Sequence, residues 1–136
     1  MQITRQADYA LRAVIYLSKL EDGEKASTKD IAAMQQIPPS FLAKIVSQLS
    51  IAGLIQTARG ARGGISLARP PEDISVLNVV EAIDGPVLLN LCTVNHQACT
   101  FVEGCPLHKI WCETREQLVE KLSTATFAHQ NLVPVN

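Results

Sequence analysis

Two short helical segments joined by a double proline constrain the fold of this chain more than any other feature of its sequence. Residues 29–35 are predicted to form a helix capped by Ser27 or Thr28, whose hydroxyls can accept the first free backbone N–H groups. Residues 38–39 are both proline and favour a turn, because proline disfavours helical geometry in the residue before it. A further helix is predicted over about residues 41–52. The spacing is typical of a helix-turn-helix, although an ordinary helical hairpin in a core would also show it.

The segment that follows is predicted to be a β-hairpin. Residues 54–58 are strand-like, and residues 65–68 alternate apolar and polar side chains. The connecting loop, residues 59–64, carries two arginines and three glycines. Glycine lets a backbone lie close to a surface, and arginine binds phosphate or enters a narrow minor groove. A hairpin directly after a helix-turn-helix is a wing, and a solvated turn with incidental arginines is the alternative.

The distribution of charge divides the chain in two. Residues 1–70 contain nine Lys and Arg against five Asp and Glu, whereas residues 71–136 contain three against eight. We therefore expect two regions: residues 1–70 form a winged helix-turn-helix DNA-binding head, and residues 71–136 form a cysteine-loop and dimerisation region. The candidate DNA-binding residues lie at the helix starts, on the polar face of the 41–52 helix and at the hairpin tip. They are Thr28, Pro39, Ser40, Lys44, Gln48, Arg59, Gly60 and Arg62.

The other elements are predicted to be helical. Apolar stripes indicate helices over about residues 5–20, 76–83 and 106–124. The last stripe is longer than so small a domain can bury, which favours pairing with a second copy, although packing against the chain's own first helix is an alternative. The predicted fold class is mainly α with a small β-hairpin: a winged helix-turn-helix followed by a long C-terminal dimerisation helix. Residues 125–136 are expected to fray.

Composition and motifs exclude several classes of protein. A hydrophobic fraction of 47% with 18% charged residues argues against a disordered chain. No apolar run approaches the roughly 18–20 residues that cross a bilayer. The first eight residues are charged and lack the apolar core of a signal peptide, so a cytoplasmic location is expected. No nucleophile–base pair or phosphate-binding loop is present, so we do not expect an enzyme.

All four cysteines lie in the second half of the chain, at Cys92, Cys99, Cys105 and Cys112. In a cytoplasmic protein, clustered cysteines are more often metal ligands or redox groups than disulfides. The first three are spaced widely along a segment without predicted helix, residues 87–105, which we call the cysteine loop. Structural zinc sites usually show shorter paired spacings, so the pattern favours an iron–sulfur cluster. Zinc, buried free thiols and a metal-free thiol–disulfide switch are the alternatives.

A fourth ligand could come from the start of the last helix. His108 lies one helical turn after Cys105, and Cys112 lies one turn further on roughly the same face. Cys112 is the weaker candidate, since a cysteine within a helix is as often a packing residue.

Three stretches of the sequence resemble one family of bacterial winged-helix repressors, the Rrf-two type. They are residues 3–13, residues 37–42 and residues 59–69. The resemblance implies a homodimer with two DNA-binding heads and a crossed pair of long helices. The three loop cysteines match the cluster ligands of the cluster-bearing branch, which contains IscR-like, NsrR-like and RirA-like regulators.

The resemblance also implies two possible fourth ligands. His108 matches the histidine of the IscR-like 2Fe–2S proteins, and the partner's Asp8 matches the acidic ligand of the NsrR-like 4Fe–4S proteins. The chain departs from the IscR-like loop by one extra residue between Cys92 and Cys99, and by the additional Cys112.

The sequence therefore predicts a cluster-dependent transcription regulator, a repressor that binds a pseudo-palindromic operator in double-stranded DNA. Its signal would be nitric oxide, redox state or the supply of iron or clusters. The switch would be the cysteine loop between Cys92 and Cys105. Two alternatives remain: a metal-free DNA-binding regulator controlled by a thiol switch or a partner protein, and a small electron-transfer protein.

Overall fold

Five α-helices and one two-stranded sheet make up residues 2–128, the part of the chain that the computed structural model describes. The helices are α1 (Arg5–Ser18), α2 (Thr28–Gln35), α3 (Pro39–Ile51), α4 (Val76–Asp84) and α5 (Pro106–Thr124). The strands are β1 (Ile55–Ala58) and β2 (Gly64–Leu67). Single turns of 3₁₀ helix lie at Pro71–Asp73, Leu91–Thr93 and His96–Ala98.

Local signals in the sequence account for the helix-turn-helix. The Ser27 hydroxyl accepts a hydrogen bond from the backbone N–H of Asp30, which satisfies one free donor at the start of α2. Gln36 ends α2 in the left-handed conformation, with a φ of 53°. Pro39 occupies the first turn of α3, where its missing N–H costs no hydrogen bond. The predicted pair of helices and its tight turn are confirmed.

The core of the molecule lies between α1, α2, α3 and α4. α1 packs against each of the other three helices. The core side chains from residues 1–70 include Val14, Ile31, Leu42, Ile45 and Leu49. Ile74 and Val79 join the same core, so α4 packs with the helix-turn-helix although it lies beyond the point where the charge changes sign.

The hairpin is fixed to the head along one edge. β1 and β2 are antiparallel, with Ile55 opposite Leu67 and Ala58 opposite Gly64. The backbones of Ala26 and Ile65 exchange two hydrogen bonds, of 2.9 and 2.7 Å. Because this bridge holds β2 against the loop before α2, the hairpin projects from the head as a wing.

The chain returns to the head after α5. The backbone N–H of Phe127 donates to the carbonyl of Ile74 at 3.1 Å, and the N–H of Val76 donates to the carbonyl of Ala125 at 2.8 Å. The Phe127 side chain is 1% exposed and belongs to the core. The expectation of fraying is therefore wrong for residues 125–128, and residues 129–136 lie outside the described part of the chain.

α5 is nineteen residues long and contains no buried residue. It packs against α4 and against the short helix Leu91–Thr93. Leu107 and Ile110 are 51% and 50% exposed. The apolar stripe along α5 is therefore only partly covered within one chain.

Candidate functional site

The exposed face of α3 is polar over most of its length. Ser40, Lys44 and Ser47 are exposed, whereas Leu42, Ile45 and Leu49 face the core. Ile51 continues the exposed face and is 85% exposed. At 3.6 residues per turn, positions 40, 44, 47 and 51 fall on one side of a helix. This side presents serine hydroxyls, the Lys44 ammonium group and the apolar Ile51 side chain to a binding partner.

Gln48 is placed differently from the other predicted residues of α3. It is half-buried, and its amide oxygen accepts a hydrogen bond of 2.6 Å from the Gln6 side chain of α1. The sequence predicts that Gln48 faces DNA. In the structure it joins two helices of the head, so it would have to leave Gln6 to meet a base.

The tip of the wing is exposed and positively charged. Arg59, Gly60 and Arg62 are exposed, and neither arginine forms an ion pair within residues 2–128. The Lys25 ammonium approaches the carbonyl of Arg62 at 3.4 Å and adds a third positive charge near the tip. A side chain at Gly63 would collide with the carbonyl of Ala58, so the tight turn requires glycine there.

Thr28 and Pro39 are exposed at the starts of α2 and α3. The N-terminal end of a helix carries partial positive charge, so both positions favour a negatively charged partner. All of the predicted DNA-contact residues except Gln48 are therefore exposed on the head.

Arg12 connects α1 to the turn of the helix-turn-helix, a link that no local sequence signal indicates. One guanidinium nitrogen lies 3.0 Å from the Asp8 carboxylate, and another donates to the carbonyl of Gln35 at 3.1 Å. The guanidinium also lies over the Tyr9 ring, 4.9 Å from its centre. Tyr9 in turn contacts Phe41 of α3 edge to face. Asp8 is therefore exposed but already paired.

The cysteine loop carries thiols of different accessibility. All four cysteines are free; Cys92 is buried, whereas Cys99, Cys105 and Cys112 are half-buried. Burial raises the pKa of the Cys92 thiol, and the charges of Cys112, Cys99 and Cys105 raise it further. The backbone N–H of Phe101 donates to the sulfur of Cys99 at 3.4 Å.

The start of α5 adds two imidazoles and the fourth thiol. Cys105 is the N-cap residue of α5. The Nε2 atom of His108 lies 3.6 Å from the sulfur of Cys112. The His96 ring meets the His108 ring edge to face, with 5.0 Å between centres. Sequence analysis missed His96, because nothing in its spacing shows that the loop folds back onto α5.

The donor set fits an iron–sulfur cluster by its chemistry. Within residues 2–128, no group of three His, Cys, Asp or Glu side chains is close enough together to hold one metal ion. A cluster makes a different demand, because its ligands are divided among two or four iron atoms and surround a larger object. Four free thiols on the cysteine loop and α5 are the type and number of ligand that such a cluster takes.

Exposed apolar side chains lie near these thiols in the sequence. Leu91 is 60% exposed, Val94 49% and Phe101 76%. Leu107 and Ile110 of α5 are exposed as well, and exposed large apolar side chains of this kind occur at interfaces when they are contiguous. Within residues 2–128, no helix has the length and apolarity needed to cross a membrane.

Comparison with known proteins relates residues 3–130 to the Rrf2 model, described as an iron-dependent transcriptional regulator. The chain is 36% identical over 129 residues to the HTH-type transcriptional regulator NsrR of Geobacillus kaustophilus, an alignment covering 94% of this chain and 88% of that protein. It is 41% identical over 87 residues to the HTH-type regulator Rv1287 of Mycobacterium tuberculosis. That alignment covers 64% of this chain and 54% of the relative, a little over half of its length.

Solved structures share the fold. The cysteine regulator CymR of Bacillus subtilis superposes with a TM-score of 0.77 at 26% identity, over 93% of each chain. IscR of T. potens superposes with a TM-score of 0.74 at 21% identity, over 99% of this chain and 94% of that one. Both comparisons confirm the predicted winged-helix architecture.

Proposed function

Since the chain belongs to the Rrf2 family of transcriptional regulators, we propose that it is a cytoplasmic, homodimeric repressor whose affinity for DNA depends on an iron–sulfur cluster. The observation that carries the proposal is the set of four free thiols on the cysteine loop and α5, in a chain whose head exposes a polar α3 and a cationic wing. Its signal is loss or chemical change of the cluster, through nitric oxide, redox state or iron supply.

In the proposed DNA complex, α3 enters the major groove. Ser40 and Lys44 lie on its exposed face and would meet base edges or phosphates. Arg59 and Arg62 at the wing would bind the backbone or the minor groove beside it. The N-termini of α2 and α3, at Thr28 and Pro39, would add the partial positive charge of a helix end beside phosphate.

Dimerisation would cover the exposed stripe of α5. A helix of this length with no buried residue leaves apolar surface in water, and pairing with the same helix of a second chain removes it. Two heads related by a twofold axis would bind a pseudo-palindromic operator.

Cys92, Cys99 and Cys105 would hold the cluster, with His108, the partner's Asp8 or Cys112 as the fourth ligand. When bound, the cluster supplies a group that reacts with nitric oxide and oxidants. The chain's own residues would carry the response to the head. Arg115 bonds the carbonyl of Val87 at 2.7 Å and so fixes the start of the cysteine loop to α5.

Arg12 offers a route from Asp8 to the recognition elements. Because one guanidinium bonds both Asp8 and the Gln35 carbonyl, a change of partner at Asp8 reaches the turn before α3. To take an operator from mostly bound to mostly free, the two states must differ by about 5 kcal/mol in DNA affinity.

A metal-free regulator controlled by a thiol switch or a partner protein is the second candidate. The contact between the Cys112 sulfur and the His108 imidazole favours it, because the half-buried thiol has a hydrogen-bonding side chain beside it without any metal. The likeness to CymR, described as a cysteine regulator, points the same way.

The test combines metal analysis with DNA binding. Protein purified without oxygen would be assayed for iron and acid-labile sulfide per chain. Binding would be measured by anisotropy on a duplex selected by the wild-type protein from a random-sequence library. The variants are Cys92→Ala, Cys99→Ala and Cys105→Ala, with Lys44→Ala as the matched control.

We expect the cysteine variants to lose iron and the response to nitric oxide or oxygen, and Lys44→Ala to lose affinity but keep iron. Cysteine variants that bind and respond like the wild type would refute the cluster. Wild-type protein that binds DNA without iron or sulfide would favour the metal-free regulator.

A further inference from the structure

We propose that Cys112 supplies the fourth thiolate, so that one chain holds the whole cluster through Cys92, Cys99, Cys105 and Cys112. The inference rests on the proposed function, because it assigns a ligand of the same site. In this assignment His108 lies near the cluster without being a ligand, and Asp8 keeps its ion pair with Arg12. Four thiolates are the usual ligand set of 4Fe–4S clusters in proteins.

α5 carries both Cys105 and Cys112 near its start. Cys105 is the N-cap of the helix, with extended backbone and a ψ of 118°, and Cys112 follows it by seven residues. At 1.5 Å per residue, Cys112 lies about 10 Å from Cys105 along the axis, within the second turn of the helix. The thiol of Cys112 therefore belongs to the same end of α5 as the loop cysteine that begins it.

The cysteine loop meets the same helix. The short helix Leu91–Thr93, which carries the buried Cys92, packs against α5. Cys92 is the one buried thiol of the four, and the short helix that holds it packs against the helix that carries Cys112.

Both competing ligands already have side-chain partners in the described chain. Asp8 is paired with Arg12 at 3.0 Å, and the same guanidinium holds the Gln35 carbonyl. His108 packs against His96 and lies 3.6 Å from the Cys112 sulfur. A His108 N–H at that position can donate a hydrogen bond to a Cys112 thiolate, which is how imidazoles commonly support a metal ligand.

Cluster binding would leave a negatively charged site at the start of α5. Each of the four thiols would lose its proton to solvent on binding iron. The N-terminal end of a helix favours negative charge, and Cys105 caps that end.

The experiment uses the full chain, loaded anaerobically with iron and sulfide. In the wild type, we expect iodoacetamide to label Cys112 in the metal-free protein and at least about tenfold more slowly once the cluster is present. We expect the reduced cluster to show no strong magnetic coupling to a histidine nitrogen. Cys112→Ser should reduce cluster retention against a chelator about tenfold or more, since even residues around a metal site contribute that much.

Asp8→Asn tests the rival ligand: we expect it to retain the wild-type amount of cluster, and loss of the cluster in this variant would overturn the assignment. Strong coupling to a histidine nitrogen, unchanged labelling of Cys112, or full retention by Cys112→Ser would overturn the assignment and leave the proposed function standing. A wild-type chain that takes up no cluster would overturn both. The labelling and the magnetic measurement use wild-type protein, so they decide the matter even if a variant fails to fold.

Discussion

The wing arginines make a quantitative prediction about salt. Arg59 and Arg62 are exposed, and neither forms an ion pair within residues 2–128, so both are available to neutralise phosphates. Each neutralised phosphate changes the slope of log K against log salt concentration by about −0.9. A homodimer would carry two such arginines on each wing, and the double variant Arg59→Ala/Arg62→Ala would therefore flatten the slope by about 3.6.

This change of slope is large enough to measure directly. Between about 50 and 200 mM salt, the ratio of wild-type to variant affinity should shrink by roughly 150-fold. The assay is anisotropy on the selected duplex at four salt concentrations. The matched control is Lys109→Ala/Lys121→Ala, which removes the same charge from α5 and should leave the slope unchanged.

Equal slopes of log K against log salt concentration for the wing variant and the wild type would refute the phosphate contacts. A smaller slope for the α5 control would show instead that net charge, rather than the position of the arginines, sets the salt dependence.

Four further results are expected. Phe127→Ala should lower the free energy of unfolding by about 3–5 kcal/mol in urea denaturation, because its ring is 1% exposed, whereas Phe101→Ala, at 76% exposed, should change it by less than about 0.5 kcal/mol. Gly63→Ala should distort the wing and weaken DNA binding at least about tenfold, with thermal unfolding as the check on the rest of the fold. In the metal-free protein, alkylation of Cys92 should begin at higher pH in the folded chain than in the urea-unfolded chain, because burial and neighbouring charges raise the Cys92 pKa; equal pH profiles would contradict this. Because its pKa is raised by folding, the Cys92 thiol keeps its proton to higher pH in the folded chain than in the unfolded chain. The free energy of unfolding of the metal-free protein should therefore fall as the pH rises above about 9.

Short-range signals predicted the head well. The Ser27 cap and the two prolines define α2, the turn and α3 through contacts no more than a few residues apart. The glycines and arginines of residues 59–64 likewise predict the position of the wing, because few backbone conformations fit a tight turn. Pro106 marks the start of α5 for the same reason.

The features that sequence analysis missed depend on contacts between distant parts of the chain. Phe127 enters the core through a backbone bridge to Ile74, which is 53 residues earlier. Gln48 turns from the exposed face to Gln6, which is 42 residues away. Such contacts follow from how the helices pack, and the periodicity of a single helix does not contain that information.

The start of α5 and the DNA-binding head are mechanically connected by the elements between them. α5 packs against α4, and Asp84 at the end of α4 accepts hydrogen bonds from both the backbone N–H and the hydroxyl of Thr4. Thr4 is also the N-cap of α1, the helix that contacts both α2 and α3. The chain beyond α5 makes a second connection, through Phe127 in the core. A ligand change on α5 can therefore alter the head through packing within one chain, which is the coupling that a fourth ligand at Cys112 would use and that a ligand at the partner's Asp8 would bypass.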